Sequence, residues 1–139
     1  MAAWLDTLEL DAPDPVAAWR LVEDGRPVGV RREVRRRAGE ASAERVRTQL
    51  AVLAAALTAI VARLPDEAFV LPGGEADWNV AQAIGHDASA RSGLVLAASL
   101  AASGRWPDDA PRVVPGVPGP PDASRDALVR KLAQSQRLI

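Results

Sequence analysis

The chain has no cysteine and no tyrosine, and only one phenylalanine, one methionine and one histidine. Without cysteine there is no disulfide, no thiolate metal ligand and no cysteine nucleophile. With one phenylalanine and four tryptophans, bulky core material is scarce, and much of the apolar content is alanine. Alanine favours helix and lets helices approach closely. There is no excess of either charge: 17 basic residues face 18 acidic ones. Overall charge therefore points neither to nucleic acid nor to a membrane, and no partner of either kind is expected. Lys131 is the only lysine, which reads as codon bias rather than function. No basic segment followed by an apolar run opens the chain, so no signal peptide is expected. The longest alanine-rich run, Leu50 to Ala62, is shorter than the ~20 residues that span a bilayer. The expected setting is cytoplasmic. A chain of 139 residues defaults to one domain that buries about two thirds of its unfolded surface.

What is present is helical periodicity. In residues 1–40, Asp14-Pro15 reads as an N-cap followed by proline at the first helical position. Val16, Trp19 and Val22 would line one face, and Gly25 would stop the helix. The rival is a hairpin around Asp24-Gly25 with Val28 and Val30 on the return strand, which Pro27 would restrict to an edge. The short helix is the preferred reading. Arg31, Arg32, Arg35, Arg36 and Arg37 form the strongest charge cluster. It reads as a solvated lead-in to the next helix, with Glu33, Glu40 and Glu44 as partners. No aromatic or second basic stripe accompanies it as a phosphate-binding surface would require.

The clearest element runs from about Ser42 to Leu64. Ser42 suits the N-cap and Glu44 the positive end of the dipole. Val46, Leu50, Leu53, Leu57, Ile60 and Leu64 recur at spacings of four and three, a bundle-type stripe. Pro65 ends it. After turn chemistry at Pro72-Gly73-Gly74, a second long helix is predicted from about Asn79 to Ser103, opened by Asp77 or Asn79 and closed near Gly104. Val80, Ile84, Val95 and Ala98 form its bulkier stripe; His86, Ala90, Gly93 and Ala97 form one of small residues. Six prolines between positions 105 and 122 exclude helix there and make a stiff connector. A last helix, from Asp122 or Ser124, carries Leu128, Leu132 and Leu138 to the C-terminus.

The candidate for chemistry is His86. An imidazole on a face of small side chains has room for a metal and a substrate. Asp87 points about 100° away around the helix and is no obvious co-ligand. Glu67, Glu75 and Asp77 are carboxylates that could contribute, but no spacing selects them. A catalytic zinc takes about three protein ligands, so spacing alone favours a lone histidine hydrogen-bonded to a carbonyl at a helix contact. Pro72-Gly73-Gly74 lacks the Lys-Ser/Thr of a phosphate loop. Trp78 reads as a packing anchor where the helix begins, and Trp106 as a weak candidate to cover a pocket.

From Ser42 to Ile139 the chain resembles the DinB/YfiT-like superfamily, which includes mycothiol-dependent maleylpyruvate isomerase-type proteins. The resemblance is carried by a long first helix, the Leu64-Pro65-Asp66 exit, a loop, and Trp78-Asn79-Val80 leading to Ile84-Gly85-His86. It implies an antiparallel four-helix bundle binding one divalent metal, zinc or nickel, through three histidines. It also implies, in some members, transferase or isomerase chemistry with a low-molecular-weight thiol. Such a metal holds a thiol as thiolate at neutral pH. His86 corresponds to the first ligand. The remaining His-x-x-x-His pair has no counterpart, because there is no second histidine, and Asp87 stands where an apolar residue is usual. The chain would then be the N-terminal part of a longer protein, a member that has lost the metal, or one whose site a second copy or separate subunit completes.

The resulting expectation is an all-α, partial DinB-like bundle over residues 41–139, with about three bundle helices, after an N-terminal helical extension over 1–40. Its function would be that of a metal-associated protein of the thiol-dependent transferase/isomerase group, incomplete for catalysis as this chain. The alternative is a non-catalytic helical interaction or oligomerisation module. Exposed stripes on the 42–64 helix and the C-terminal helix would drive self-association, unless a missing helical segment covers them.

Overall fold

The computed structural model describes residues 3–74, 77–110 and 116–139. The fold is all-α. In chain order it contains α1 (Ala3–Asp11), α2 (Pro13–Glu23), α3 (Val28–Arg37), α4 (Ser42–Arg63), a 3-10 helix (Asp66–Val70), α5 (Val80–Ala102) and α6 (Arg125–Gln136). Among the described residues no strand forms; Pro72 and Asn79 make an isolated antiparallel bridge. Contacts divide the chain into two compact units, Met1–Leu57 and Thr58–Ile139, with the boundary inside α4.

In the first unit, α2 starts two residues earlier than its sequence suggests: Ala12, not Asp14, is the N-cap, and it offers no side-chain cap. None is needed. Pro13 and Pro15 have no N–H to satisfy, and the Asp14 N–H donates to Oε1 of the buried Gln49 at 2.8 Å. Of the expected face only Val16 is buried; Trp19 and Val22 are about half exposed. Gly25, at φ 68°, turns the chain between α2 and α3, and the Arg26 N–H donates back to the Leu21 carbonyl. The turn therefore joins two helices, not two strands. The arginine segment is α3. Glu33 pairs with Arg36 and Arg37, while Glu44 pairs with Arg47.

The expected stripe of α4 is only half-buried and Ile60 is exposed; the buried positions on this helix are Gln49, Ala54 and Val61. Taken as a whole helix, α4 is long and apolar enough to cross a bilayer, by length and composition only.

In the second unit the 3-10 helix buries Phe69, and α6 packs against α5. The Ser124 hydroxyl caps α6 by accepting from the Ala127 N–H. Arg125 then fastens the start of α6: it donates to the Leu64 carbonyl and pairs with Asp66, and its guanidinium lies 6.0 Å from the Phe69 ring centroid. Leu128 and Leu132 are buried. The C-terminal helix therefore does not present an exposed stripe, because α5 and its surroundings cover it. Nor does it run to the end: it stops at Gln136, and Leu138 is exposed beyond it. The described part of the proline-rich segment contains no helix; Pro111 and Pro115 lie outside the described residues.

Candidate functional site

The site is built at the first two turns of α5. The Asn79 side chain accepts from the Gln82 N–H at 2.8 Å, and the Gln82 side chain accepts from the Asn79 N–H at 3.0 Å. This reciprocal capping box satisfies two end groups and fixes where the helix begins. It also fixes the direction of everything on the next turns, including His86.

A return segment, residues 116–121, lies along these turns. Asn79 Nδ2 donates to the Pro121 carbonyl at 2.8 Å, and the Gly119 N–H donates to the Gln82 carbonyl at 3.0 Å. His86 Nδ1 meets the Val117 carbonyl at 2.9 Å. Between these bonds two glycines cross: a Cβ on Gly119 would come within 2.8 Å of Gly85 Cα, and one on Gly85 within 3.0 Å of Gly119 Cα. The backbones approach this closely only because neither residue carries a side chain.

Trp78 closes the other side. Its ring lies 4.9 Å from the His86 ring, centroid to centroid, tilted by 56°. Gly116 sits against both: a Cβ there would come 3.1 Å from Trp78 Cη2 and 3.7 Å from His86 Cε1. Trp78 thus packs where the helix begins, and its packing partner is His86 itself.

A carbonyl oxygen only accepts, so the proton that bonds Val117 sits on Nδ1. In the neutral ring, Nε2 then carries the free lone pair. This is the chemistry the arrangement offers: one oriented imidazole with one available nitrogen. The partner of Nδ1 is a loop carbonyl, not a neighbouring helix. Asp87 is paired with Arg91 at 2.6 Å. Glu67 and Asp77 are exposed, and Glu75 lies outside the described residues. Among the described residues no group of three His, Cys, Asp or Glu side chains is placed to hold a metal. The donors present do not fit a three-histidine centre. Trp106 is about half exposed, and its side chain takes no part in the contacts around His86 described above, so it does not cover this site.

Sequence reasoning reached Trp78, Asn79 and His86 and missed Gly116, Val117 and Gly119. The spacing of the α5 turns is local, whereas the loop contacts join residues 31 to 42 positions apart. The glycine pair Gly116 and Gly119 within a proline-rich run was the available signal, because glycine there permits close backbone approach. Comparison with models of protein families, with curated proteins and with solved structures gives no match.

Proposed function

We propose that the chain is a DinB-like helical scaffold of the thiol-dependent transferase or isomerase group. On this reading it supplies one imidazole, His86, to a zinc or nickel site and has no catalytic activity by itself. The observation that supports it is the hydrogen bond from Nδ1 of His86 to the Val117 carbonyl. Such a bond orients the ring and leaves Nε2 as the nitrogen with a free lone pair, as the outer hydrogen bonds of metal-bound histidines do. Any further imidazole donor comes from outside these 139 residues. Titration with zinc or nickel, followed on the single imidazole by NMR, tests the proposal. The expected result is a response at His86 Nε2 that is reversible, with the metal lost on desalting, since one donor stands where about three are required. No response of His86 to either metal overturns it, as does stoichiometric metal retained in His86→Ala.

A second reading, a non-catalytic interaction or oligomerisation module, draws on a different observation. Leu94 and Leu96 on the second half of α5 are 70% and 61% exposed. Two residues apart on a helix they face roughly opposite sides, and a helix apolar on several sides ordinarily lies against partners. Sedimentation velocity over a wide concentration range should show self-association, weakened in a Leu94→Glu/Leu96→Glu variant. A monodisperse monomer at all concentrations counts against this reading.

A further inference from the structure

The first unit holds a cleft of about 210 Å³ with an almost wholly apolar lining. Pro15 and Ala18 of α2, Val34 of α3 and Leu50 of α4 line it, together with the charged Arg37 and Arg45. A cavity of about 150 Å³ is enough for a benzene ring, so this one takes a ring or a medium-chain alkyl group.

The two guanidiniums are held in place by the protein. Arg37 donates through Nε to Glu33 and through Nη1 to Asp14 Oδ1. Arg45 donates through Nε to Asp14 Oδ2 and through Nη2 to the Arg37 carbonyl. Gln49 Nε2 also donates to Asp14 Oδ2 at 3.0 Å. Asp14, although it lines the cleft, has both oxygens engaged and acts as an orienting group. Arg37 Nη2 and Arg45 Nη1 have no hydrogen-bond partner among the described residues. The connected set of Asp14, Glu33, Arg36, Arg37 and Arg45 carries one net positive charge. A monoanion neutralises it; a phosphate dianion would leave it negative. Arginine's planar fork matches a carboxylate.

We infer that this cleft binds a small amphipathic carboxylate, with an aromatic or medium-chain alkyl body inside and the carboxylate on Arg37 and Arg45. Binding of octanoate to the full chain, compared with 1-octanol, tests it. Octanoate is expected to bind saturably and about tenfold more tightly than octanol, with the advantage shrinking as salt rises. The methyl resonances of Ala18, Val34 and Leu50 are expected to shift in both cases. Ala18→Phe, which fills the cleft, should abolish both, and Arg45→Gln should bring octanoate to the octanol level, while Arg31→Gln changes neither. The wild-type comparison stands even if a cleft variant fails to fold. Equal binding of the two probes, no saturable octanoate binding, or shifts confined to methyls outside the cleft would overturn the inference.

Discussion

At His86 the two ring nitrogens have different tasks: Nδ1 holds the Val117 carbonyl and Nε2 is left over. The first task depends on how closely residues 116–121 approach α5, and that approach rests on single missing side chains. Gly119→Ala would set a methyl 2.8 Å from Gly85 Cα and 3.1 Å from the Gln82 carbonyl oxygen. Neither neighbour is a flexible side chain that could move aside. We expect a loss of about 1–3 kcal/mol in urea denaturation, with displaced His86 ring resonances. Unchanged stability and resonances would mean that the segment does not rest on the helix. Gly85→Ala is the sharper contrast, because helix propensity favours alanine by about 1 kcal/mol while the overlap with Gly119 opposes it. We expect the overlap to dominate. The identity of His86 as a candidate was legible in sequence because it is the only histidine. Its hydrogen-bond partner was not, because a carbonyl 31 residues away leaves no mark on local periodicity.

Among the elements, those with their own punctuation were readable. Asn79 and Ser124 cap α5 and α6, Gly104 at φ 67° follows α5, and Pro65 stands just beyond α4. Each signal acts within a few residues of the boundary it sets. Residues 1–40 were readable only in part: Pro13 and Pro15 mark the start of α2 to within two residues, but its first-turn acceptor comes from Gln49, 35 residues away, which no local pattern shows. The 3-10 helix escaped notice because five residues give too few positions for a period. Asn79 offers a test at this scale, since its two side-chain atoms do separate jobs. Asn79→Ala removes both the cap and the bond to Pro121, and should cost about 1–2 kcal/mol in chemical denaturation. Asn79→Asp keeps the acceptor for the Gln82 N–H but loses the donor to Pro121. It should retain more than half of that stability. Equal losses in the two variants would show that the loop contact, and not the cap, is what Asn79 contributes.

Over the whole molecule, near-neutral composition conceals local ordering of charge. Hydrogen bonds from Arg45, and then from Arg37 and Gln49, hold the Asp14 carboxyl below its ordinary value against the opposing effect of burial. Arg36 and Arg37 bring Glu33 down to about 2. For both groups the folded form binds protons less readily than the unfolded chain. Their contribution is therefore complete above the ordinary carboxylate range and is lost as pH falls through it towards 2. Folding stability should rise with pH between about 2 and 4.5, and the rise should be shallower in Asp14→Asn. A wild-type stability that is flat across that window would contradict the ion network. The all-α class was legible from composition and periodicity at this scale; how contacts divide the chain into two units, with the boundary within α4, was not, since one unbroken apolar stripe runs through it.

The claim on which the functional reading turns is the state of one ring. A long-range proton–nitrogen NMR correlation, recorded with the imidazole neutral, observes it without ambiguity, since His86 is the only histidine. The expected spectrum is that of the Nδ1–H tautomer, with Nε2 unprotonated and, on adding zinc, shifting alone. An Nε2–H tautomer, or rapid averaging of the two forms, would mean that Val117 does not hold the ring, and the oriented donor on which the proposal stands would be gone.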